Sequence, residues 1–367
     1  MTVLEYIAVL FSGIYFIFFL WVTFGYLKTV KIKIPRDAFS TSVSLIIPVK
    51  NEEKNLPALF ECLKKQKNVR GEIIFVNDHS DDGSSELITS FTHAELEVRM
   101  IDLDLNEIGK KTAIEKAVSL AKNEVIITTD ADMTFRENWM EQHSKKISKE
   151  YILAGPIKIS SHHGFWNTFQ ALELLAIQII GCGMNYWKKP ITLSAASMSY
   201  PKEMFLRLNP YHDNKEELSG DDIYLLQAAK KHNIPVYYDQ NSDFVAETSG
   251  KNFGSYLMQH IRWMKKKSSF RDPMAVLTGL LLSFSSAWFL FSVVYQCFMN
   301  ETNLFMIFSL FVKTMVDFLL LFLIIRERDK LAILFGFIYS FPISIFMNLM
   351  IPLLGWFLPI RWKGRKI

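Results

Sequence analysis

Glu124-Val125-Ile126-Ile127-Thr128-Thr129 leads straight into Asp130-Ala131-Asp132. A short run of β-branched residues, apolar through its middle, reads as a buried strand. It delivers two carboxylates, one residue apart, to the C-terminal end of that strand, where open α/β sheets hold their ligands. Carboxylates at i and i+2 converge on a hard divalent cation such as Mg2+ or Mn2+, which takes oxygen ligands and bridges to phosphates. Two solvated loop aspartates would read the same way in isolation, so the neighbouring sequence decides.

Upstream, Val43–Val49 and Glu72–Asn77 read as central strands, Val98–Leu103 as a third, with Val125–Thr129 the fourth. Helical stretches over Lys54–Gln66 and Lys111–Ala121 lie between them. Strand–helix alternation with polar loops at the strand ends predicts a Rossmann-like α/β sheet. No G-x-G-x-x-G follows the first strand and no G-x-x-x-x-G-K-[ST] occurs, which weakens dinucleotide and P-loop readings. The segment from Asp78 to Gly83 imitates the opening of an EF-hand loop, but Thr89 stands where a bidentate Glu is needed and a strand comes before it.

The ends of the chain differ in kind from its middle. The 367 residues are 50% hydrophobic, with a mean hydropathy of +0.15, and the apolar excess sits at the two ends. Tyr6–Leu27 carries no charge and is long enough to cross a ~30 Å hydrocarbon core. Without a basic region before it or a small-residue cleavage site after it, it reads as a retained anchor. Pro273–Met299 and Asn303–Ile325 are two more candidate spans. In the last run, Leu331–Ile360, Pro342, Pro352 and Pro359 suggest a dip and return or a tight hairpin rather than a plain crossing. Lys28, Lys31, Lys33 and Arg36 follow the first span, and Lys265, Lys266, Lys267 and Arg271 precede the second. The positive-inside rule then puts residues 28–271 in the cytoplasm. The expected organisation is an anchor (1–27), a cytoplasmic domain (28–271) with interfacial helices near 165–187 and 253–268, and a membrane region (272–367). Cys62, Cys182 and Cys297 lie far apart and give neither a disulfide framework nor a zinc site. A net charge of +4 without a basic, aromatic-laced stripe excludes a nucleic-acid surface.

In order along the chain stand Ile47-Pro48-Val49-Lys50-Asn51-Glu52, Val76-Asn77-Asp78-His79-Ser80-Asp81-Asp82-Gly83-Ser84, Gly109-Lys110, Asp130-Ala131-Asp132, Ser219-Gly220-Asp221-Asp222 and Gln259-His260-Ile261-Arg262-Trp263. This set resembles the membrane-bound family 2 glycosyltransferases, among them synthases of cellulose-like polymers and the ceramide, hopanoid and carotenoid glucosyltransferases. The resemblance covers residues 43–265 and implies a GT-A fold flanked by transmembrane helices. It also implies a UDP- or GDP-linked sugar donor, with Asn51, Glu52 and Asp78, and Pro48 beside them, at the uracil and ribose. Lys110, opening a helix, would meet the nucleotide. The resemblance gives Mg2+ or Mn2+ to Asp130 and Asp132, with Asp132 the firmer ligand. Asp222 aligns with the family's general base, and Asp221 stands where the family more often has Glu. Gln259, Arg262 and Trp263 share one helical face, from which Arg262 can fork onto a diphosphate and Trp263 can wall the sugar or acceptor.

Bland roles compete at several of these positions. Asn51 and Asp82 can serve as caps and turn formers, and Lys110 as a surface lysine. Asp221 and Asp222 can be a helix N-terminus. The helix of Trp263 can lie at headgroup level. Lys313 and Asp317 inside the third span read as a self-neutralising i,i+4 pair, and His162 and His163 lack partners at ligand spacing. The whole predicts an inverting transfer of a sugar to a lipid hydroxyl. Processive synthesis of an extracellular polysaccharide is the alternative, and a nucleotide-binding transporter is a reading of another class.

Overall fold

The computed structural model describes residues 2–35, 42–160, 164–215, 217, 220–265, 272–299, 302–322, 330–359, 361–362 and 365–366. Arg36, His162, His163, Ser219, Lys266, Lys267, Arg271 and Lys363 therefore lie outside the described residues, as do the side chains of residues 360–367. The elements begin with α1 (Val3–Thr29), β1 (Ser42–Val49), α2 (Leu56–Lys64), β2 (Arg70–Asn77), α3 (Ser84–Ser90), β3 (Glu97–Asp102) and α4 (Lys110–Leu120). They continue with β4 (Val125–Thr128), β5 (Met133–Phe135), α5 (Trp139–Lys146), β6 (Ile152–Ala154), β7 (Ile157–Ile159), α6 (Phe165–Tyr186), β8 (Met198–Pro201) and α7 (Lys202–Leu208). Next come α8 (Asp221–Lys231), β9 (Val236–Tyr238), β10 (Ala246–Thr248) and α9 (Phe253–Met264). Helices α10 (Pro273–Phe298), α11 (Leu304–Phe322) and α12 (Lys330–Phe357) follow. Arg361–Trp362 and Arg365–Lys366 then pair as a short antiparallel ribbon.

Two compact units result. One holds Val30–Ser160, Thr192–Ser249 and Arg361–Ile367; the other holds Met1–Thr29, Ser161–Ile191 and Gly250–Ile360. The segments near 165–187 and 253–268 are helical, as α6 and α9, and they pack within the unit of apolar helices.

In the α/β unit, seven strands run in the order β3-β2-β1-β4-β8-β6-β9. Strands β1 to β4 are mutually parallel, and β8 is antiparallel to both β4 and β6. Leu45, Ile47, Ile73, Phe75 and Ile127 face one core, while Ile46, Ile74, Val76 and Ile126 face the other. Burial on both faces explains why these strands read as continuous apolar runs rather than alternating ones. From β1 the chain moves outward to β2 and β3, then returns past β1 to β4. The order therefore reverses between β1 and β4, and the carboxyl ends of those two strands are where such sheets form their ligand crevice. Pro48 lies beyond the last β1–β4 pair, Ile46 with Thr128, so its missing N–H costs no ladder bond on that side. A second sheet, β5-β10-β7, starts directly after Asp132.

In the helical unit, α1 crosses α6 at close range. A Cβ on Gly25 would come within 2.3 Å of the Gly183 carbonyl oxygen, so only small residues permit this approach. Trp21 and Trp187 stack beside it at 5.1 Å. Tyr15 of α1 donates to Asp317 at 2.5 Å, and Lys313 Nζ meets Tyr15 Oη at 3.0 Å and Asp317 Oδ2 at 2.9 Å. The expected i,i+4 pair is thus present, widened to a triad that joins α1 to α11. By length and composition, four helices among the described residues could cross a membrane: Val3–Thr29, Pro273–Phe298, Leu304–Phe322 and Phe335–Phe357.

One expectation is corrected. The prolines do not fold the last apolar run into a hairpin, because α12 passes through Pro342 and Pro352 as one helix of 28 residues. Proline already holds a helical φ, and the loss is one backbone donor per proline. At Pro352 the carbonyl left over is that of Asn348, and it accepts from the Ser283 hydroxyl of α10 at 3.1 Å. A neighbouring helix satisfies what the proline cannot.

Candidate active site

The crevice is walled first by two interlocked loops. After β1, Asn51 adopts a left-handed φ of 53°, which Asn tolerates better than most residues. Its side chain exchanges hydrogen bonds with Asp81, donating to the carboxylate at 2.6 Å and accepting from the backbone N–H at 3.0 Å. The Glu52 N–H donates to the Ser84 hydroxyl at 2.9 Å, and the Glu52 carboxylate accepts from Asn55 at 2.6 Å. Asp82 caps Ser84, whose N–H and hydroxyl both donate to its carboxylate; these bonds outweigh desolvation and hold Asp82 below the ordinary carboxylate range. The EF-hand imitation from Asp78 to Gly83 is therefore a turn clamped to the β1 loop. Lys50 Nζ donates to the His79 carbonyl, and the His79 ring meets the Glu107 carbonyl at 2.9 Å. Neither Lys50 nor His79 was singled out from sequence, since their partners are backbone atoms of distant loops.

Asp78 is buried at the end of β2 and accepts the Gly109 N–H at 3.1 Å. Gly109 has a φ of 96°, open to glycine but strained for any other residue. The tight approach sets the first turn of α4, and with it Lys110, over the crevice. Lys110 Nζ lies 2.7 Å from Asp130 Oδ1 and 2.9 Å from Asp221 Oδ2. Burial pulls its ammonium down, but the charges of Asp130 and Asp221 outweigh burial and hold it well above its ordinary value. Lys110 is thus a fixed cation bridging the end of β4 to the start of α8, not a surface lysine.

Asp221 and Asp222 occupy the first turn of α8, where carboxylates suit the helix dipole. Asp221 is buried and committed to Lys110. Asp222 is half-buried, and its Oδ1 accepts the Ile223 N–H at 2.8 Å. Tyr200 lies in the same region, yet its hydroxyl is no base; burial first, then the Asp221 charge, keep it protonated far above its ordinary range.

Asp130 and Asp132 leave β4 together, and the Thr248 hydroxyl of β10 approaches Asp132 Oδ2 at 3.5 Å. Among the described residues no three His, Cys, Asp or Glu side chains cluster to hold a metal on their own. Two carboxylates at a crevice mouth fit a cation of the Mg2+ type, which takes one or two protein carboxylates and completes its shell with phosphate and water. Asp130 and Asp132 are the residues that would hold it.

Gln259, Arg262 and Trp263 lie half-buried on α9, within the other compact unit. There the His260 ring packs at 4.8 Å from Trp263 and meets Glu173 of α6 at 3.2 Å, while the Tyr256 hydroxyl donates to Glu173 at 2.6 Å.

A family model described as glycosyl transferase family 2 matches residues 44–203. The 4,4'-diaponeurosporenoate glycosyltransferase of Staphylococcus haemolyticus is 23% identical over 56% of this chain and 56% of its own length. An undecaprenyl-phosphate 4-deoxy-4-formamido-L-arabinose transferase of Pectobacterium atrosepticum is 35% identical over 32% of this chain and 37% of its own. The chain thus spans roughly half or less of these curated relatives, 56% and 37%. Among solved structures, a mannosyltransferase from Pyrobaculum calidifontis in complex with GDP-Man and Mn2+ superposes with a TM-score of 0.56 at 14% identity, covering 94% of this chain and 99% of that one. The fold is GT-A, as the sequence reading expected.

Proposed function

From the match of residues 44–203 to the glycosyl transferase family 2 model, we propose that this chain transfers a sugar, with inversion, from a nucleoside-diphosphate donor to a hydroxyl of a membrane lipid. The observation that carries the reading is the Lys110 bridge, because it ties the D-x-D strand end to the acid pair of α8. Donor-side and acceptor-side groups are thereby fixed against one another before any ligand arrives, as positional catalysis requires.

In this reading the nucleotide lies along the carboxyl ends of β1 and β2, by Pro48, Asn51, Glu52 and Asp78. Asp130 and Asp132 would hold Mg2+ or Mn2+, which would supply neutralisation of the charge that builds on the leaving diphosphate. Asp222 takes the proton of the acceptor hydroxyl as its oxygen bonds to the anomeric carbon. The bond from that carbon to the diphosphate oxygen breaks in the same step, and one direct displacement inverts the centre. Lys110 stays charged throughout and keeps Asp221 and Asp130 from repelling the pose apart. Gln259, Arg262 and Trp263, which the resemblance gives to the diphosphate and sugar, belong to the other compact unit.

The GDP-Man and Mn2+ bound by the structural neighbour support the donor class, and the lipids named in the two relatives support a lipid acceptor. Basic residues Lys28 in the last turn of α1 and Lys31 and Lys33 beyond it support a cytoplasmic α/β unit. The test is incubation of the purified chain with a panel of nucleotide sugars and membrane lipids, followed by mass spectrometry. A lipid gaining a single hexose supports the proposal. A ladder of sugar additions would move it to a polysaccharide synthase, and no transfer from any donor would overturn it.

A further inference from the structure

We propose that Lys111, beside the bridging lysine, is a positioning residue that sets the pose of the acid pair at the start of α8; this rests on the functional reading above. Lys111 is 3% exposed. Its Nζ lies 4.5 Å from the ring centroid of Tyr224 and 6.0 Å from that of Tyr211, and it donates to the Asn214 carbonyl. The cage walls come from both sides of the acid pair in sequence. Tyr211 donates its hydroxyl to the Asp221 carbonyl at 3.2 Å, and Tyr224 donates to Glu217 at 2.5 Å. One buried cation therefore gathers the chain before and after Asp221 and Asp222 onto α4, while Lys110 grips the Asp221 carboxylate.

A core position that served only packing would favour an apolar side chain, since burying an ammonium is costly unless its charge is used. Here the charge is met by two π faces and a carbonyl, an arrangement strongest when water is excluded. Burial draws the Lys111 ammonium down to about 8, and the facing carboxylates of Glu217, Asp221 and Glu115 oppose that fall. Lysine at this site is charged below that pH and loses its grip above it. Arginine would remain charged across the range.

The experiment compares wild-type, Lys111→Met and Lys111→Arg full-length chains. Lys111→Met is expected to lower turnover about tenfold or more, the scale of a desolvated cation–π contact. Donor KM should stay within about twofold of wild type, because donor groups are untouched. Wild type should lose turnover as pH rises through about 8, and Lys111→Arg should keep its turnover and lose that alkaline fall. Hydrogen exchange supplies a readout without turnover: amides of residues 211–215 and 220–224 should exchange faster in Lys111→Met, while β1, β2 and β4 stay protected. Unchanged exchange there overturns the proposal whatever the activity. So does a loss of turnover and melting temperature that Lys111→Arg fails to rescue, which would mark a packing residue. If wild type transfers no sugar while the exchange result holds, the functional reading falls and the tether stands.

Discussion

In the proposed reaction Asp222 is the base and Lys110 the fixed cation, and each makes a separate prediction. If Asp222 accepts the acceptor proton, Asp222→Asn keeps the side-chain shape and removes the base. Turnover should fall about 10²–10⁴-fold, the usual cost of losing a general base, with donor affinity nearly unchanged by calorimetry. Lost donor affinity with normal turnover would reassign Asp222 to nucleotide binding. Lys110→Met has a different signature, because it leaves Asp130 and Asp221 without the cation they share at 2.7 and 2.9 Å. Two uncompensated carboxylates then repel each other and the incoming diphosphate. Donor affinity and turnover should both drop, turnover by about 10²-fold, as for removal of one fixed electrostatic group. Steady-state kinetics that move only one of the two parameters would contradict the bridge.

At the level of elements, the parallel register rests on a buried polar knot. Glu72 of β2, 1% exposed, accepts from Ser44 of β1 at 2.7 Å, from the Lys122 N–H at 2.6 Å and from Arg99 of β3 at 2.7 Å. Desolvation alone would raise its pKa, but these donors win and hold it below the usual carboxylate value. A depressed folded pKa means stability that is full above the unfolded value and lost as pH falls through the folded one. Glu72→Gln should therefore destabilise the α/β unit by about 2 kcal/mol at neutral pH, with the gap to wild type closing in acid; urea unfolding across pH checks this. An equal gap at low pH would mean that the charge is not what matters. The strands themselves were readable from sequence. Val43–Val49, Glu72–Asn77, Val98–Leu103 and Val125–Thr129 were each expected within about two residues of where β1 to β4 lie. Strand periodicity and turn residues are local signals, and they survive folding. The pairing of Lys110 with Asp221, the clamp of Asn51 on Asp81 and the cage around Lys111 depend on long-range topology that no local pattern encodes. The prolines of α12 misled for a related reason: proline in water ends helices, but Ser283 of another helix takes up the freed Asn348 carbonyl.

For the whole molecule the open matter is which side of the membrane each end occupies. Helix α12 is long enough to cross, and a crossing would put residues 361–366 outside. Arg361, Lys363, Arg365 and Lys366, however, form a basic cluster of the kind retained in the cytoplasm. A cysteine at Lys366 should accordingly be shielded from an impermeant thiol reagent outside intact cells, whereas one at Thr302 should label; outside labelling at 366 would mean a full fourth crossing. The most direct test of the central claim is the release of nucleoside diphosphate from a nucleotide sugar and membrane lipid, followed for wild type and Asp132→Asn with Mn2+ or with EDTA. An amide is a far poorer ligand than a carboxylate for a hard cation, so wild type should turn over only with the metal and Asp132→Asn under neither condition. Undiminished release by wild type in EDTA, or a wild-type rate from Asp132→Asn, would contradict the site.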